Sequence, residues 1–538
     1  MAHAPAPAGA PRATGIRRLF IRKTVEQMQA DNEHSDLKKT LSATNLILLG
    51  IGCVIGTGIF VLTGRAAAVF AGPGIIISFA ITGTLCIFVA LCYAELASVL
   101  PVSGSAYSYS YASMGELAAW IMGLLLVLEY GLASATVAVG WSGYLVSLLQ
   151  DMGLHLPPAL TAAPGVEIIR DGQVIGHGLI NLPALLAIAA VTMLLVVGLS
   201  ESVTVNNIIV AIKLTVVIAF IVIGFFYVDT QLLTPLIPAE IPPPPPGTER
   251  GLWADIWRAL VDVMTANNTS RYGIGGLIGG AATIFFAYLG FEAVSTAGTE
   301  SRNPSRDMPI GILGTLIICT VLYMLTAAVL VGIVPYTELD DPAPIAKAVN
   351  QIGLPWFAIL VKIGAIAGLS SVMLVLLYAQ TRIFYTIARD GLLPAPLAVV
   401  HPKFRTPWIN TLLVGAVVAC AAGLLSLDAL ADLTNIGSLA AFAIVCITVI
   451  YLRVTAPGLH RPFRAPLSPL VPLLGAGMCL FLLMSLMAQT TTRHFFVAYL
   501  VGGVALYFLY GMRHSKLGRG EIVMGGEPPP DLPQKLGD

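Results

Sequence analysis

Charged residues are scarce in this sequence. They make up only 11% of the 538 residues, while 57% of the chain is hydrophobic. A soluble globular domain carries about 25% charged residues. A soluble protein of this length could not keep its surface hydrated with so few charges, so a soluble fold is excluded. The formal net charge is zero, and no long-range attraction to nucleic acid is expected.

The sequence also lacks the clusters that metal sites, disulfide frameworks and enzymes need. Its 7 cysteines lie inside apolar runs without CxxC spacing, and we interpret them as buried apolar residues. Its 8 histidines lie in tails, loops and the ends of apolar runs. We therefore expect no metal, no cofactor and no catalytic residue. A channel is disfavoured too, because the apolar runs carry isolated polar points and no continuous polar pore.

Long apolar runs are what the sequence has in abundance. Runs of about 20 apolar residues, the length of a membrane-crossing helix, recur along the chain. They predict an all-α integral membrane protein with twelve transmembrane helices, of which the third and eighth are long enough to tilt or project. The predicted spans are 43–68, 74–99, 115–149, 179–199, 205–228, 274–299, 309–334, 356–388, 407–426, 431–453, 468–490 and 494–513.

Two predicted spans contain sequences that disrupt a helix. The first contains IGCVIGTGIFVLTG, in which Gly56, Thr57 and Gly58 are consecutive and cover more than one helix face. The sixth contains FFAYLGFE, with Gly290 beside Glu292, and a carboxylate at membrane depth usually marks a functional place. We predict that both helices are broken there. The alternatives are tight helix packing through small residues and a neutral, hydrogen-bonded glutamate.

The two disrupted spans are five spans apart. That offset fits two inverted repeats of five helices, with helices 11 and 12 appended. Broken helices at matching positions of two halves indicate a transporter's binding site at the membrane midplane. Backbone N–H groups freed at the positive end of a half-helix suit a carboxylate. Carbonyl groups freed at the other end suit an ammonium, so the predicted ligand is a zwitterion.

The expected organisation follows from these spans and from the loop charges. The larger share of loop Lys and Arg residues falls on the side of the N terminus. The positive-inside rule then predicts a multi-pass protein of the cell membrane with both termini cytoplasmic. The predicted regions are an N-terminal tail (1–42), a first five-helix repeat (43–228), an extracellular loop (229–273), a second, inverted repeat (274–453), helices 11 and 12 (468–513) and a C-terminal tail (514–538).

Three shorter stretches carry predictions of their own. The polar sequence VEIIRDGQVIGHG, between the third and fourth spans, predicts a β-hairpin. Residues 16–30 predict an amphipathic segment. Residues 242–246 are consecutive prolines, which predict an extended spacer.

Several motifs together resemble those of a known family. They are IGTGIFVLTG, FVALCYAELASVLPVSGSAYSYSY, LEYGLASATVAVGWSGY, FFAYLGFEAVSTAGTESRNPSRDMPIGI and SSVMLVLLYAQTRIFYTIARDGLLP. Over roughly residues 35–515 the chain resembles the amino acid–polyamine–organocation superfamily and, within it, the twelve-span bacterial branch of the cationic amino acid transporter family. The resemblance implies a five-plus-five inverted-repeat, LeuT-like fold.

The resemblance also implies where an amino acid would bind. The substrate carboxylate would meet the unwound first helix, and the α-ammonium would meet carbonyl groups of the sixth. Phe291 would gate the site from one side. The substrate-binding residues expected on this basis are Val54, Ile55, Gly56, Thr57 and Gly58 in the first helix and Phe286, Ala287, Leu289 and Phe291 in the sixth.

Lys213 is the expected proton-coupling residue. It lies in IIVAIKLTVVIAF, too deep in the fifth span to reach the surface easily. Burial favours the neutral form of a lysine, so Lys213 is able to lose and regain a proton during transport. The resemblance supports this role. The alternative is a permanently charged lysine tied to carbonyl groups of the first span.

Two further residues are expected at the substrate side chain. Glu129, in LVLEYGLAS of the third span, would attract the cationic head of a basic amino acid. Its alternative role is as a partner for polar groups of the bundle. Met373, on the eighth span, would close the pocket, although most apolar residues in membranes serve packing.

These expectations combine into a function. The sequence predicts a permease that moves cationic or small neutral L-amino acids across the membrane by alternating access, coupled to protons. The alternatives are an exchanger of amino acids or polyamines, a uniporter, and an amino acid sensor that does not transport. The expected partners are the amino acid, protons and the lipid bilayer, and no protein partner is predicted.

Overall fold

Helices account for nearly all regular structure in the described chain. A computed structural model describes residues 22, 41–100, 104–170, 173–198, 203–241, 271–488 and 490–519. The predicted amphipathic segment, except for Arg22, and the predicted proline spacer lie outside this part. The α-helices of eight or more residues are α1 (Ala43–Val54), α2 (Ile75–Val99), α3 (Ser105–Ser113), α4 (Glu116–Leu126), α5 (Ala133–Asp151), α6 (Leu182–Val197), α7 (Val203–Phe225), α8 (Gly273–Ile284), α9 (Pro304–Ile333), α10 (Pro344–Gln351), α11 (Pro355–Arg389), α12 (Trp408–Leu424), α13 (Leu427–Thr455), α14 (Leu470–Leu486) and α15 (Thr490–Leu506).

Wider and tighter helical turns join several of these helices into longer rods. Segments of π-helix are Gly58–Leu62, Ala67–Ala71, Val127–Leu132 and Tyr507–Gly511, and the longer 3₁₀ segments are Phe285–Tyr288, Glu292–Glu300 and Ala395–Ala398. The π segment Val127–Leu132 joins α4 to α5, so the rod extends from Glu116 to Asp151. Single π turns inside helices often mark functional places.

The predicted all-α membrane class is confirmed. In the described ranges, 8 helical segments are long and apolar enough to cross a membrane, and four shorter apolar helices accompany them. Each of the twelve predicted regions contains one of these helices. The third and eighth are long, as predicted, at 36 and 35 residues.

Large apolar side chains cover the outside of the bundle. Val222, Ile317, Val417 and Val501 lie on different helices, and each is more than half exposed. A surface of this kind would drive aggregation in water, whereas lipid chains solvate it at no cost. Lipid therefore explains the outward-facing side chains of this bundle.

The helices pack in pairs that lie five predicted spans apart. Helix α9 packs along α2, α11 along α5, and α12 along α6. Helix α1 lies inside this frame, where it contacts α7, α9 and α11. The interrupted helices are thereby held at the centre of the bundle.

Two features between the helices complete the fold. The predicted hairpin is confirmed, because β1 (Glu167–Arg170) and β2 (Gln173–His177) form an antiparallel pair. Helices α3 and α10 lie in predicted loops, and sequence periodicity had not marked them.

Both described chain ends lie on one side, here named the terminal face: Leu41 N–H bonds the Glu300 carbonyl, and Lys516 N–H bonds the Asp390 carbonyl.

Candidate functional site

The first broken helix (residues 43–71) is interrupted at Ile55 and Gly56. Helix α1 ends at Val54, and Ile55 adopts an extended backbone with ψ of 95°. Helical geometry resumes at Thr57 and continues through the π segment from Gly58. The first N–H groups of a helical segment lack partners four residues earlier. The break therefore creates a short N-terminus in the middle of the bundle, as the glycine run predicted.

The second broken helix (residues 273–300) is interrupted at Leu289 and Gly290. Leu289 is extended, with ψ of 140°, and Gly290 has φ of +108°. L-amino acids rarely adopt that φ, so glycine is required there. A Cβ atom at Gly290 would lie 3.0 Å from Cβ of Cys53 in the first broken helix. The second break therefore adjoins the first.

Gly58 makes the closest contact between the two broken helices. A Cβ atom at this position would lie 2.2 Å from Cα of Ala287 and 2.4 Å from its Cβ. Only glycine lets the two backbones approach so closely. The two broken helices therefore touch at the centre of the bundle.

A small cavity lies at this centre. Its volume is about 10 Å³, which is no more than one water molecule needs. The broken helices are thus closed around the site, and an amino acid enters only if they or their neighbours move. The lining residues are Cys53, Val54, Gly56, Thr57, Gly58, Ala133, Val137, Phe286, Leu289, Val372 and Leu376.

Six expected binding residues meet in this cavity. They are Val54, Gly56, Thr57, Gly58, Phe286 and Leu289. Cys53, Ala133, Val137 and Val372 also line it and were not expected from the sequence. The repeating apolar pattern of their helices does not distinguish a cavity wall from helix packing.

The other expected residues lie around the cavity without lining it. Ile55 and Ala287 are buried at the breaks, and Ala287 packs against Gly58. The Phe291 ring lies 5.3 Å from that of Phe442, in an aromatic cluster. Met373 is replaced in the wall by Val372 and Leu376, which are four residues apart and therefore share a helix face.

The Lys213 side chain reaches the end of the first half-helix, α1. Its ammonium group donates a hydrogen bond of 2.7 Å to the Gly52 carbonyl, and its side chain is fully buried. Gly368 on α11 leaves room for its methylene groups, since a Cβ there would lie 2.9 Å from Cε of Lys213. Both interpretations of Lys213, proton carrier and structural tie, predict this contact.

Tyr323 is a second partner of the break that the sequence analysis missed. Its hydroxyl donates a 2.7 Å hydrogen bond to the Val54 carbonyl, and its side chain is fully buried. A carbonyl freed by unwinding needs a donor in an apolar interior. The available signal was an isolated tyrosine in the apolar run LIICTVLYMLTAA.

Two carboxyl groups lie side by side next to the cavity. Glu129 neighbours Glu292, and both are fully buried. Glu292 accepts a 2.9 Å hydrogen bond from the Gly290 N–H group. Apart from its neighbour Glu292, no group in the described part of the chain forms a hydrogen bond with the Glu129 carboxyl group. Buried polar groups without partners are costly.

Glu129 lies close to the wall of the central cavity, so the carboxyl pair adjoins that cavity. Glu129 lies in the π segment Val127–Leu132, one helical turn before Ala133 in the cavity wall. The hydroxyl groups of Tyr93 and Tyr130 neighbour the pair and are buried as well. A cluster of buried polar side chains therefore lies next to the apolar cavity.

Ion pairs join separate elements of the bundle on both of its sides. Arg65 lies on the opposite side of the cavity from the terminal face. It forms ion pairs with both Asp340 and Asp428. On the terminal face, Glu95 pairs with Arg453 and Arg461. The sequence offers no way to match Arg65 with acidic residues that are hundreds of positions away.

Lys362 is a second buried lysine, near one end of the eighth span. Its ammonium group lies 2.5 Å from the Asp151 carboxylate at the end of α5. The partner in the neighbouring helix explains why the charge is tolerated there.

Two broken helices that meet around a closed central site are the arrangement of a membrane transporter. The family model for amino acid permeases matches residues 41–506. The chain belongs to the amino acid permease family, within the amino acid–polyamine–organocation superfamily.

Curated relatives extend over nearly the whole chain. The methylthioribose transporter of Bacillus subtilis (strain 168) is 43% identical over 501 residues, 93% of this chain and 99% of the relative. The branched-chain amino acid permease BcaP of the same organism is 42% identical over the same shares of both chains. Cationic amino acid transporter 4, vacuolar, of Arabidopsis thaliana is 34% identical, over 82% of this chain and 67% of the relative. Family and relatives are transporters and not enzymes.

Proposed function

We propose that this protein is a secondary active permease that carries amino acids across the cytoplasmic membrane by alternating access. The contact between Gly58 and Ala287 is the observation that carries the proposal. It supports a single central site made of backbone groups from both broken helices. The closed cavity supports a cycle in which the site opens to one side at a time.

Backbone groups recognise the zwitterion in this proposal. The N–H groups from Gly56 to Gly58 hold the substrate carboxylate at the start of the resumed helix. Carbonyl groups of Phe286, Ala287 and Leu289 hold the α-ammonium. Phe286 already accepts a bond from Leu289 N–H, and a carbonyl oxygen has a second lone pair to offer.

The proposal includes twelve spans in two inverted repeats, with both termini cytoplasmic. Packing of α2 with α9, α5 with α11, and α6 with α12 supports the repeat, because each pair joins helices at matching positions of the two halves. The distribution of loop Lys and Arg residues supports the orientation. Phe291, in its aromatic cluster, would then close the site on the cytoplasmic side.

Lys213 couples transport to protons in this proposal. Its bond to the Gly52 carbonyl ties the fifth span to the first broken helix. Loss of the proton would remove the charge from this bond and weaken it. The half-helix α1 would then be free to move, which links the proton to the opening of the site.

The cavity wall favours an apolar amino acid side chain. Val137, Val372 and Leu376 supply most of the wall opposite the broken helices. Branched or small aliphatic side chains would bury apolar surface there, at about 25 cal/mol per Å². The name of BcaP agrees with this preference.

A cationic amino acid is the second candidate substrate, and the carboxyl pair favours it. Two neighbouring carboxyl groups do not both ionise in an apolar interior unless a cation lies beside them. The head of a bound lysine or arginine would reach Glu129 if it extended one turn beyond Ala133.

Uptake into proteoliposomes tests the proposal. A thermal-shift screen of the purified protein first identifies amino acids that bind, with methylthioribose included because of the relative with that name. Radiolabelled uptake is then measured with and without an inward proton gradient. We expect uptake of an aliphatic amino acid that increases with the gradient. Binding without uptake would indicate a sensor. Equal uptake with and without the proton gradient would refute proton coupling.

A further inference from the structure

A second, larger cavity lies on the terminal face, away from the central site. Its volume is about 160 Å³, and it lies between the end of α6, the last turns of α11 and the start of α12. None of the residues that line the central cavity lines it. The transport proposal therefore leaves this cavity without a role.

Two arginines give the cavity its charge. Arg382 and Arg405 both line it. Within the described ranges, no carboxylate lies within 4 Å of either guanidinium group. Arg382 is held over the Tyr378 ring, 4.8 Å from its centroid. Positive charge of this kind is suited to a phosphate, which a guanidinium group binds through two hydrogen bonds.

The walls of the cavity are firmly built. The Thr406 hydroxyl donates a 2.7 Å bond to the Val196 carbonyl, which ties the loop to α6. The Asn410 amide donates a 2.6 Å bond to the Thr381 carbonyl, which ties α12 to α11. Arg405 has φ of +55°, a backbone conformation that a non-glycine residue keeps only where its surroundings hold it.

The start of α12 adds to the positive potential. This helix of 17 residues begins at Trp408, next to lining residue Pro407, and no side chain caps its first N–H groups. The N-terminus of a helix carries a partial positive charge. It acts here together with the two arginines.

Apolar side chains surround the cavity on the outside of the bundle. Leu194 and Val197 on α6 and Leu412 and Leu413 on α12 are exposed. In a membrane these positions face acyl chains, while the arginines lie at the level of the headgroups. A volume of 160 Å³ is small for a metabolite pocket, which usually has 300–1,000 Å³, but it accommodates one phosphate group.

We propose that this cavity binds the phosphate of an anionic phospholipid, whose acyl chains run along the exposed faces of α6 and α12. The lipid bridges α6, α11 and α12 and stabilises their packing. The site depends neither on the identity of the transported substrate nor on the orientation of the protein.

Thermal unfolding of the purified full-length protein in detergent tests the site. The probes are short-chain phosphatidylglycerol, the matching phosphatidylcholine and inorganic phosphate. The variants are Arg382→Gln with Arg405→Gln, and Arg405→Gln alone, because the Arg405 side chain is exposed and its replacement leaves the buried core unchanged. The matched control is Lys403→Gln, which removes one charge from the same loop outside the cavity lining.

Phosphatidylglycerol should raise the melting temperature of the native protein and of the Lys403 variant. The double arginine variant should bind it roughly 30-fold more weakly, since each arginine contributes on the order of a few-fold. Arg405→Gln alone should give an intermediate loss. An equal response to phosphatidylcholine, or an undiminished response of the double variant, would overturn the site. An equal and saturating response to inorganic phosphate would overturn its assignment to lipid.

Discussion

Replacement of Gly58 by alanine is the sharpest test of the central site. The added Cβ would lie 2.2 Å from Cα of Ala287, whereas ordinary van der Waals contact begins at 3.4 Å. The atoms it meets are Cα, Cβ and the backbone nitrogen of Ala287, so no side-chain rotation relieves the clash. The two broken helices must therefore separate by more than 1 Å.

The expected size of the effect follows from this separation. Overpacking a tightly packed interior costs about 1–3 kcal/mol. Separation of the helices moves apart the backbone groups that hold the two ends of the zwitterion. Substrate affinity should therefore fall by roughly ten- to a hundredfold. The overall fold should be little affected, because the clash is confined to one contact.

Gly56 supplies the matched control within the same cavity. A Cβ there would lie 3.6 Å from the nearest atoms, the methyl groups of Val372, which is ordinary contact. Gly56→Ala should therefore change affinity by less than about threefold, within the range of volume changes that interiors tolerate. Two glycines that are only two positions apart are thus predicted to behave differently.

Initial uptake rates in proteoliposomes measure the difference. The substrate is the amino acid with the largest uptake, and melting temperature controls for folding. Gly58→Ala should raise KM strongly at a nearly unchanged melting temperature, and Gly56→Ala should resemble the native protein. Native KM and rate in Gly58→Ala, or equal losses in both variants, would refute the argument from backbone contact.

Three further predictions concern charged residues. Lys213→Ala should abolish uptake or its response to pH, because the tie to Gly52 is lost, whereas Lys362→Ala, which removes another buried lysine, should keep the pH response. Glu129→Gln should weaken arginine uptake more than alanine uptake, because only the arginine head would reach the carboxyl pair. Arg65→Gln should release contacts to two aspartates and favour opening on that face, measured as faster labelling of the cavity residue Cys53 by an impermeant maleimide.

Each of these has an outcome that contradicts it. Native uptake and a native pH response in Lys213→Ala would remove Lys213 from the coupling mechanism. Equal effects of Glu129→Gln on both substrates would exclude a role in side-chain recognition. Unchanged labelling in Arg65→Gln would mean that the two ion pairs do not hold the site closed, as is common for partly exposed pairs.

The central site was predictable where local sequence controls the backbone. Three consecutive small residues around Gly56, and a glycine beside a buried acid at Gly290, were enough to predict two breaks. Lys213 was predictable as well, because a lysine deep in an apolar run needs a polar partner. Its expected neighbour, the first helix, came from the resemblance.

The cavity wall was less predictable. Met373 was expected, and Val372 lines the cavity instead, because a small rotation of α11 about its axis selects a different face. Residues 372–377 of α11 are all apolar, so no pattern marks that rotation. Tyr323, which bonds the Val54 carbonyl, and Glu292, which neighbours Glu129, were also missed as partners. Each contact joins separate helices, and no pattern along one helix marks it.

The sequence by itself determined the membrane class, the position of nearly every helix and the two interruptions. These depend on apolar length, charge and glycine content, which act locally along the chain. Only the tertiary structure decided that Gly58 meets Ala287, that Glu129 lies beside Glu292, and that Arg65 joins two distant aspartates. The reason is that lipid solvates any apolar helix face, so burial does not select which faces meet; close packing and polar pairing between helices do.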